Sequence, residues 1–207
     1  MKYGYIKSEL DGSEHVFKPS KSIELPSEYS YVKYLPKVLN QGNRPICVPC
    51  SISTFVNWNL NLKDGIEVDN HIDLNAIYDS RIDYKNEDNG MTFKDALHFM
   101  RHQGVKTDEG LFKIKEYSMI GSVESLKAAI VMNGPCIGGL PVYDSSSNEF
   151  WLKGGSLEGG HAIAIVGYDK EGFIIRNSWG TVYGYDGYYH LKYEDFYNSF
   201  YEIWTMV

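Results

Sequence analysis

Apolar residues recur at three- and four-residue steps in the first part of the chain, and this spacing predicts amphipathic helices. The clearest stretch runs from Val48 to Leu60. We expect that helix to end near residues 63–65, where Gly65 suits a helix C-terminus. Shorter helices are predicted to begin after Asp73, Thr92 and Ser122, because these residue types commonly cap helix N-termini.

The pattern changes after Gly134-Pro135, where short apolar runs bounded by turn residues predict strands. These predicted strands cover residues 136–142, 162–168, 173–176, 188–192 and 203–207. Residues 29–35 alternate only weakly and are expected to be extended or strand-like. A helical part followed by a strand-rich part predicts an α+β fold with two lobes and a cleft between them.

Composition narrows the classes of protein that this chain can belong to. It has 207 residues, of which 43% are hydrophobic and 23% charged, as in globular proteins. The net charge of −7 without a basic block argues against nucleic acid or an anionic membrane as the main partner. No apolar stretch is long enough to span a bilayer. The N-terminus lacks the hydrophobic core of a signal peptide, so we expect a cytoplasmic protein.

Cys47 lies where a turn-rich loop meets the first predicted helix. The free amides and the dipole of a helix N-terminus stabilise a thiolate, which is the reactive form of cysteine. They can also bind an oxyanion, and Gln41, six residues earlier, could add a side-chain N–H. The alternative interpretation is a small buried cysteine at a helix start.

Two further patterns could indicate metal or redox chemistry. Cys47 and Cys50 form a C-x-x-C pair, but no second pair or nearby His pair accompanies it, so zinc is not expected. A redox role would require a thioredoxin-like context that the surrounding sequence lacks. His98 and His102 lie four residues apart on a predicted helix without an evident third ligand, which favours a solvated surface pair. We therefore expect neither a metal nor a cofactor.

A histidine and an asparagine are predicted to meet at one end of a hairpin. His161 begins one predicted strand, and Asn177 ends the next, after the tight turn at residues 169–172. An asparagine oxygen that accepts from one ring nitrogen would fix the tautomer and leave the other nitrogen facing a nucleophile. The alternative interpretations are a strand-end histidine and a turn asparagine without catalytic roles.

Taken together, Gln-x5-Cys at a helix start, Gly-Gly-His on a strand and Asn-Ser-Trp-Gly on the next resemble a papain-like (C1-type) cysteine peptidase. The resemblance runs from about residue 25 to the C-terminus and is closest to compact prokaryotic and viral members. It implies a papain-like fold with a helical lobe at about 36–120. The β-barrel-like lobe would comprise about 121–207 plus 25–35.

The resemblance also implies a role for each matched position. Cys47 would be the nucleophile, His161 the base and acid, and Asn177 the residue that orients the histidine. Gln41 and the Cys47 amide would form the oxyanion hole. The substrate would be a polypeptide, bound by a second set of residues: Asn89, Gly90, Met91, Phe93, Gly160 and Trp179. Two departures affect the cleft walls, since Val48 and Tyr183 stand where the family has tryptophan.

Residues 1–24 are too few for the long inhibitory pro-domain of secreted members. We expect this N-terminal extension to pack on the domain through Tyr3, Tyr5 and Phe17 and to cover part of the cleft. Phe93 and Met91 favour a bulky apolar substrate residue before the cleaved bond. Transfer of the acyl group to another amine and a catalytically silent peptide-binding module remain alternatives to hydrolysis. The sequence does not indicate an oligomeric state.

Overall fold

The computed structural model describes residues 2–19, 23–64, 71–81, 89–144 and 149–207. Within these ranges the helices are α1 (Cys47–Asp64), α2 (Leu74–Asp79), α3 (Phe93–His102), α4 (Val123–Asn133) and α5 (Phe196–Ser199). The short strands are β1 (Tyr29–Ser30), β2 (Val105–Thr107), β3 (Gly110–Phe112) and β4 (Tyr117–Met119). The longer strands are β5 (Cys136–Tyr143), β6 (Leu157–Tyr168), β7 (Gly172–Arg176), β8 (Tyr188–Lys192) and β9 (Glu202–Met206).

The capping side chains expected from the sequence begin three of these helices. Asp73 accepts from Ala76 N at 3.0 Å, and Thr92 Oγ1 accepts from Asp95 N at 3.1 Å. Ser122 Oγ accepts from a backbone N–H at the start of α4 in the same way. Each cap satisfies a backbone donor that has no partner inside the helix. The predicted starts of α2, α3 and α4 are thus confirmed, whereas Gly65 lies outside the described residues.

An antiparallel sheet forms the second lobe, with strand order β4-β9-β5-β6-β7-β8 and β1 paired to β6. Helix α1 packs against β6, and its Val48, Ile52 and Val56 side chains are fully buried there. The helical first part and the strand-rich second part therefore form the expected α+β arrangement. None of the helices in the described ranges combines the length and apolar character needed to cross a membrane.

Three details differ from the expectations. Strand β6 begins at Leu157, so His161 lies within the strand, opposite Leu140, and not at its start. Strand β4 pairs with β9, which joins residues expected in the helical lobe to the sheet. Only Tyr29–Ser30 of the weakly alternating stretch is a strand, because a 3₁₀ turn follows at Val32–Tyr34.

Candidate active site

The Gln41 loop is held against the Asn-Ser-Trp-Gly segment by backbone hydrogen bonds. Gln41 N donates to Ser178 O at 2.9 Å, and Gly180 N donates to Leu39 O at 2.8 Å. This pairing carries the chain directly into α1, whose first residue is Cys47. Residues that are more than 130 positions apart in sequence are thereby joined at the edge of the cleft.

Cys47 is completely buried. Backbone N–H groups of Ala162, Gly4 and Val48 lie at its sulfur and favour the thiolate, but burial dominates and raises the pKa of the thiol to about 11. Cys50 is also buried, one turn further along α1, and burial raises its pKa to about 12. All three cysteines of the chain are free.

His161 and Asn177 meet as the hairpin predicts. The β6–β7 pairing brings His161 Nε2 to 2.6 Å from Asn177 Oδ1. When Nε2 carries the proton and donates it to this oxygen, Nδ1 is the basic nitrogen, and Nδ1 is buried without a hydrogen-bond partner. Burial lowers the pKa of His161 to about 4, against the opposing effect of the Asn177 bond.

Trp179 covers the histidine ring. Its indole stacks on His161 with a centroid distance of 4.6 Å and an interplanar angle of 29°. Phe150 packs against both rings, with its centroid 4.8 Å from that of Trp179 and 6.0 Å from that of His161. These rings exclude water from the histidine–asparagine bond and limit rotation of the imidazole.

Gln41 is oriented by a hydroxyl that the sequence reasoning did not use. Ser178 Oγ donates to Gln41 Oε1 at 2.6 Å, which directs the amide Nε2 to the opposite side. That Nε2 donates to Arg44 O at 2.9 Å and to Lys2 O at 3.1 Å. The second acceptor belongs to the N-terminal extension.

Residues 2–8, which we call the cleft segment, pass through the cleft. Met91 N donates to Gly4 O at 2.9 Å, and Ile6 N donates to Met91 O at 3.0 Å, which is a parallel pairing. On the opposite wall Tyr5 N donates to Gly160 O at 3.1 Å. The cleft segment thus lies between Met91 and Gly160 and pairs with both through backbone hydrogen bonds.

The walls of the cleft fit this segment closely. Gly90 has a φ of +112°, and a Cβ atom there would lie 2.2 Å from Gly4 O, so no other residue is accommodated. The Tyr3 ring lies 6.4 Å from His161 and 6.3 Å from Trp179. Of the remaining predicted substrate-binding residues, Phe93 packs against Tyr5 at 5.0 Å, whereas Asn89 is exposed beside Gly90.

The rest of the extension is anchored outside the cleft. Lys94 at the start of α3 donates to Glu14 at 2.8 Å and to Glu9 O at 3.1 Å. Phe17 N donates to Met119 O at 2.8 Å, which attaches the extension to β4. Together these contacts hold the cleft segment in place from its C-terminal side.

The structure also describes the two other candidate sites from the sequence, the His98–His102 pair and the C-x-x-C pair. His98 and His102 are both exposed, with ring centroids 4.3 Å apart. In the part of the chain that the structure describes, no three His, Cys, Asp or Glu side chains are grouped as metal ligands would be. The C-x-x-C pair lies at the start of α1, and both of its cysteines are free and buried.

One buried acid at the cleft was missed by the sequence reasoning. Glu202 begins β9 and is only 4% exposed, and its carboxylate accepts from Tyr5 OH at 2.7 Å. It is the only charged residue among positions 202–207. A lone acid in an otherwise apolar strand was the available signal, since a buried carboxylate needs specific partners.

A scan against protein families matches residues 63–203 to the papain family cysteine protease model. These 141 of 207 residues (203 − 63 + 1) contain His161 and Asn177 but begin after Gln41 and Cys47. The family match therefore does not extend to Gln41 and Cys47.

Individual relatives and solved structures agree with this match. Human cathepsin O is 35% identical over 94 residues, and a peptidase C1-like protein of Acanthamoeba polyphaga mimivirus is 29% identical over 91 residues. Each alignment covers 39% of this chain, but only 28% and 29%, respectively, of those relatives, so the chain spans less than a third of their length in these matches.

Two solved structures resemble the whole fold. Xylellain, a cysteine protease from Xylella fastidiosa, superposes with a TM-score of 0.84 at 25% identity, covering 99% of this chain and 95% of that one. Procathepsin B from Trypanosoma congolense has a TM-score of 0.82 at 14% identity, covering 100% and 86%, and it supports the fold alone. By its family match and its fold, this chain belongs to the papain family of cysteine proteases.

Proposed function

We propose that the chain is a cysteine peptidase in which Cys47 attacks a peptide carbonyl carbon and His161 transfers the protons. Asn177 orients the imidazole, and Gln41 Nε2 together with the Cys47 N–H binds the oxyanion. The observation that carries the proposal is the arrangement around His161. Its Nε2 is bonded to Asn177 at 2.6 Å, and its Nδ1 is buried and unbonded. Cys47 begins a helix, and the backbone of Ala162, the residue after His161, lies at its sulfur.

The reaction would follow two acyl-transfer steps. The Cys47 sulfur forms a bond to the carbonyl carbon, and the protonated His161 gives its proton to the leaving amine as the C–N bond breaks. Water then loses a proton to His161 and attacks the thioester, which releases the carboxylic acid and regenerates the thiolate. In both steps the oxygen of the tetrahedral intermediate would be bound by donors that already have fixed positions.

Gln41 is suited to this role because its amide is held in place before any substrate binds. The 2.6 Å bond from Ser178 fixes Oε1, so the direction of Nε2 is set by the fold and not by the ligand. A donor with a fixed position needs no reorganisation during the reaction, which is the condition for effective stabilisation of an oxyanion. The Lys2 carbonyl bound by Nε2 would therefore occupy the oxyanion position in the closed chain.

The cleft segment would keep the full chain inactive without being cleaved. In the cleft segment the carbonyl bound by Gln41 Nε2 is that of Lys2, whereas the peptide group at the Cys47 sulfur is Tyr3–Gly4, which presents its N–H. The carbonyl at the proposed oxyanion site and the peptide bond at the proposed nucleophile are therefore different ones. We therefore expect the segment to block substrates while remaining uncut.

The test compares the full chain with a chain that begins at residue 9, using an unfolded protein as substrate and iodoacetamide as the labelling reagent. We expect little turnover by the full chain, and clear turnover together with labelling of Cys47 in the shortened chain. Cys47→Ala should abolish turnover, while Cys50→Ala should retain it as the matched control. Turnover that survives in Cys47→Ala would contradict the site assignment, and a folded shortened chain without any turnover would contradict the peptidase function.

Membership of the family implies a polypeptide substrate. The identity of that substrate stays open, and the cytoplasmic location stays a prediction from the sequence. Product analysis with an added amine separates hydrolysis from acyl transfer, because both proceed through the same thioester.

A further inference from the structure

The Tyr5 side chain fills a pocket that is shaped for an aromatic ring. Tyr5 is 5% exposed, and its ring lies 5.0 Å from Phe93 and stacks on Tyr201 at 6.4 Å between centroids. The pocket exists because residue 139 has no side chain, since a Cβ on Gly139 would lie 2.1 Å from the Tyr5 ring. The walls are therefore apolar and closely fitted to the ring.

The floor of this pocket is the carboxylate of Glu202. Its Oε1 accepts from Tyr5 OH at 2.7 Å and from Ser8 N at 2.9 Å, and its Oε2 accepts from Trp204 Nε1 at 2.8 Å. Two of these three donors belong to the cleft segment. Among the residues that the structure describes, no Lys, Arg or His forms an ion pair with Glu202.

Opening of the cleft would change the surroundings of this carboxylate. When the cleft segment leaves, Oε1 loses both of its donors, and only the Trp204 N–H on Oε2 remains. A buried carboxylate that lacks hydrogen-bond partners is strongly disfavoured. A bound side chain that donates a hydrogen bond to Glu202 Oε1 is therefore favoured over a side chain of the same size without a donor.

We propose that Glu202 is a shared acceptor, which holds the cleft segment closed through Tyr5 and, after opening, selects a substrate side chain that ends in a hydrogen-bond donor. This proposal rests on the proposed peptidase function. Tyrosine is the reference occupant because Tyr5 shows that a phenol fits, and phenylalanine is the matched side chain without the donor. The pocket thus differs from the purely apolar one expected from Phe93 and Met91.

The expected discrimination follows from the strength of a hydrogen bond to a charged acceptor. Such bonds correspond to about tenfold to hundredfold in an equilibrium constant. A site built to bond a substrate hydroxyl rejects an analogue that lacks it, because the acceptor of the site is then left without a partner. We therefore expect at least about a tenfold preference for tyrosine over phenylalanine in this pocket.

The first experiment tests the closed state in the full chain. Tyr5→Phe keeps the ring and removes only the donor, so iodoacetamide should modify Cys47 about tenfold faster or more than in the unaltered chain. Tyr3→Phe is the matched control, since it is the same change in the same segment at a hydroxyl that does not contact Glu202. The control should react within about twofold of the unaltered chain. Equal rates for Tyr5→Phe and the unaltered chain would overturn the role of Glu202 in closing the cleft.

The second experiment tests selection and separates this proposal from the proposed function. Two peptides that differ only by tyrosine or phenylalanine at the position bound in the pocket are compared by kcat/KM, using the low turnover of the full chain and of its Glu202→Gln variant. The ratio of the two kcat/KM values cancels the small fraction of open chain. The tyrosine preference should fall from about tenfold to below about threefold in Glu202→Gln. A purely structural role of Glu202 would lower both rates equally and leave the ratio unchanged, and that result would overturn the proposal.

Failure of the peptidase function would look different. If the chain that begins at residue 9 is modified at Cys47 but cleaves neither peptide, the proposed function is wrong, and the Tyr5→Phe comparison still decides whether Glu202 holds the segment. If Glu202→Gln does not fold, as judged by circular dichroism, the peptide ratio of the unaltered chain decides. A ratio near one would then overturn selection by Glu202.

Discussion

Mild acid should open the cleft, because the closed chain holds His161 in its neutral form. Burial lowers the pKa of His161 from 6.5 to about 4. A lowered pKa in the closed state stabilises that state above pH 6.5, and this stabilisation is lost as the pH falls towards 4. If exposure to water returns His161 to its ordinary pKa, the open state binds the proton more tightly, so acidification favours opening.

The size of the effect follows from the two pKa values. Between pH 7 and pH 5 the open state should gain about 2 kcal/mol relative to the closed state, or about twentyfold in population. Cys47 does not contribute in this range, because burial raises the pKa of its thiol to about 11 and its effect appears only above pH 9.

The measurement should stop at pH 5, because carboxylates of the N-terminal extension begin to take up protons at lower pH. Hydrogen bonds from Ser13 and Lys94 lower the pKa of Asp11 and Glu14, respectively, from 3.8 and 4.5. These groups therefore stay ionised at pH 5, and the contacts that dock the extension from outside the cleft are retained. A change seen between pH 7 and pH 5 can then be assigned to His161.

The assay is the rate at which a dipyridyl disulfide modifies Cys47, taken as the ratio of the full chain to the chain that begins at residue 9. The ratio cancels the intrinsic reactivity of the thiol and leaves the fraction of open chain. We expect the ratio to rise about twentyfold from pH 7 to pH 5, and to stay constant in His161→Asn. A constant ratio in the unaltered sequence, or an equal rise in His161→Asn, would refute the reasoning.

Three further substitutions test other parts of the site. Gly139→Ala should expel the Tyr5 ring from its pocket and raise the modification rate of Cys47 at least about tenfold. Gly121→Ala, whose Cβ meets nothing within 4 Å, should not change that rate. Gln41→Ala should lower kcat of the shortened chain about a hundredfold, and the exposed Gln103→Ala should not; a loss below about threefold would exclude Gln41 from the oxyanion hole. Asn177→Ala should lower kcat at least about tenfold. It should also move the titration of His161, followed by NMR, to lower pH, because the hydrogen bond from His161 to Asn177 raises the pKa of His161 and is lost in this variant. An unmoved titration would contradict the orienting role of Asn177.

Helix caps and tight turns, which depend on a few neighbouring residues, are enough to predict much of the secondary structure around the site. The caps at Asp73, Thr92 and Ser122 act within three residues, and the tight turn before β7 sets the β6–β7 pairing that joins His161 to Asn177. Such features depend on short stretches of sequence, in which residue type alone restricts the backbone. The strands β2, β3 and β4 were missed because three residues are too few for a periodic pattern to be recognised.

The path of the cleft segment could not be predicted by the same rules. Its anchors are pairs such as Tyr5 and Glu202, which are 197 positions apart, and neither residue carries a local signal of the other. The sequence indicates apolar anchors in the extension, but not that Tyr5 enters a pocket with an acid at its floor. The orientation of Gln41 by Ser178 is a contact of the same kind, across 137 positions.

The proposed closed state would be inactive for two reasons that reinforce each other. The cleft segment would exclude substrate by its bulk, and burial of the site moves the pKa values of Cys47 and His161 further apart, away from the order that catalysis needs. A thiolate–imidazolium pair requires a thiol more acidic than the imidazolium, yet burial places Cys47 near 11 and His161 near 4. Since the same desolvation causes both shifts, opening the cleft should move both pKa values back towards their ordinary 9.0 and 6.5 at once. Entry of water and of substrate, relief of both pKa shifts and exposure of Glu202 would then be consequences of a single movement, which explains why one tyrosine hydroxyl is expected to control the reactivity of a cysteine to which it is not hydrogen-bonded.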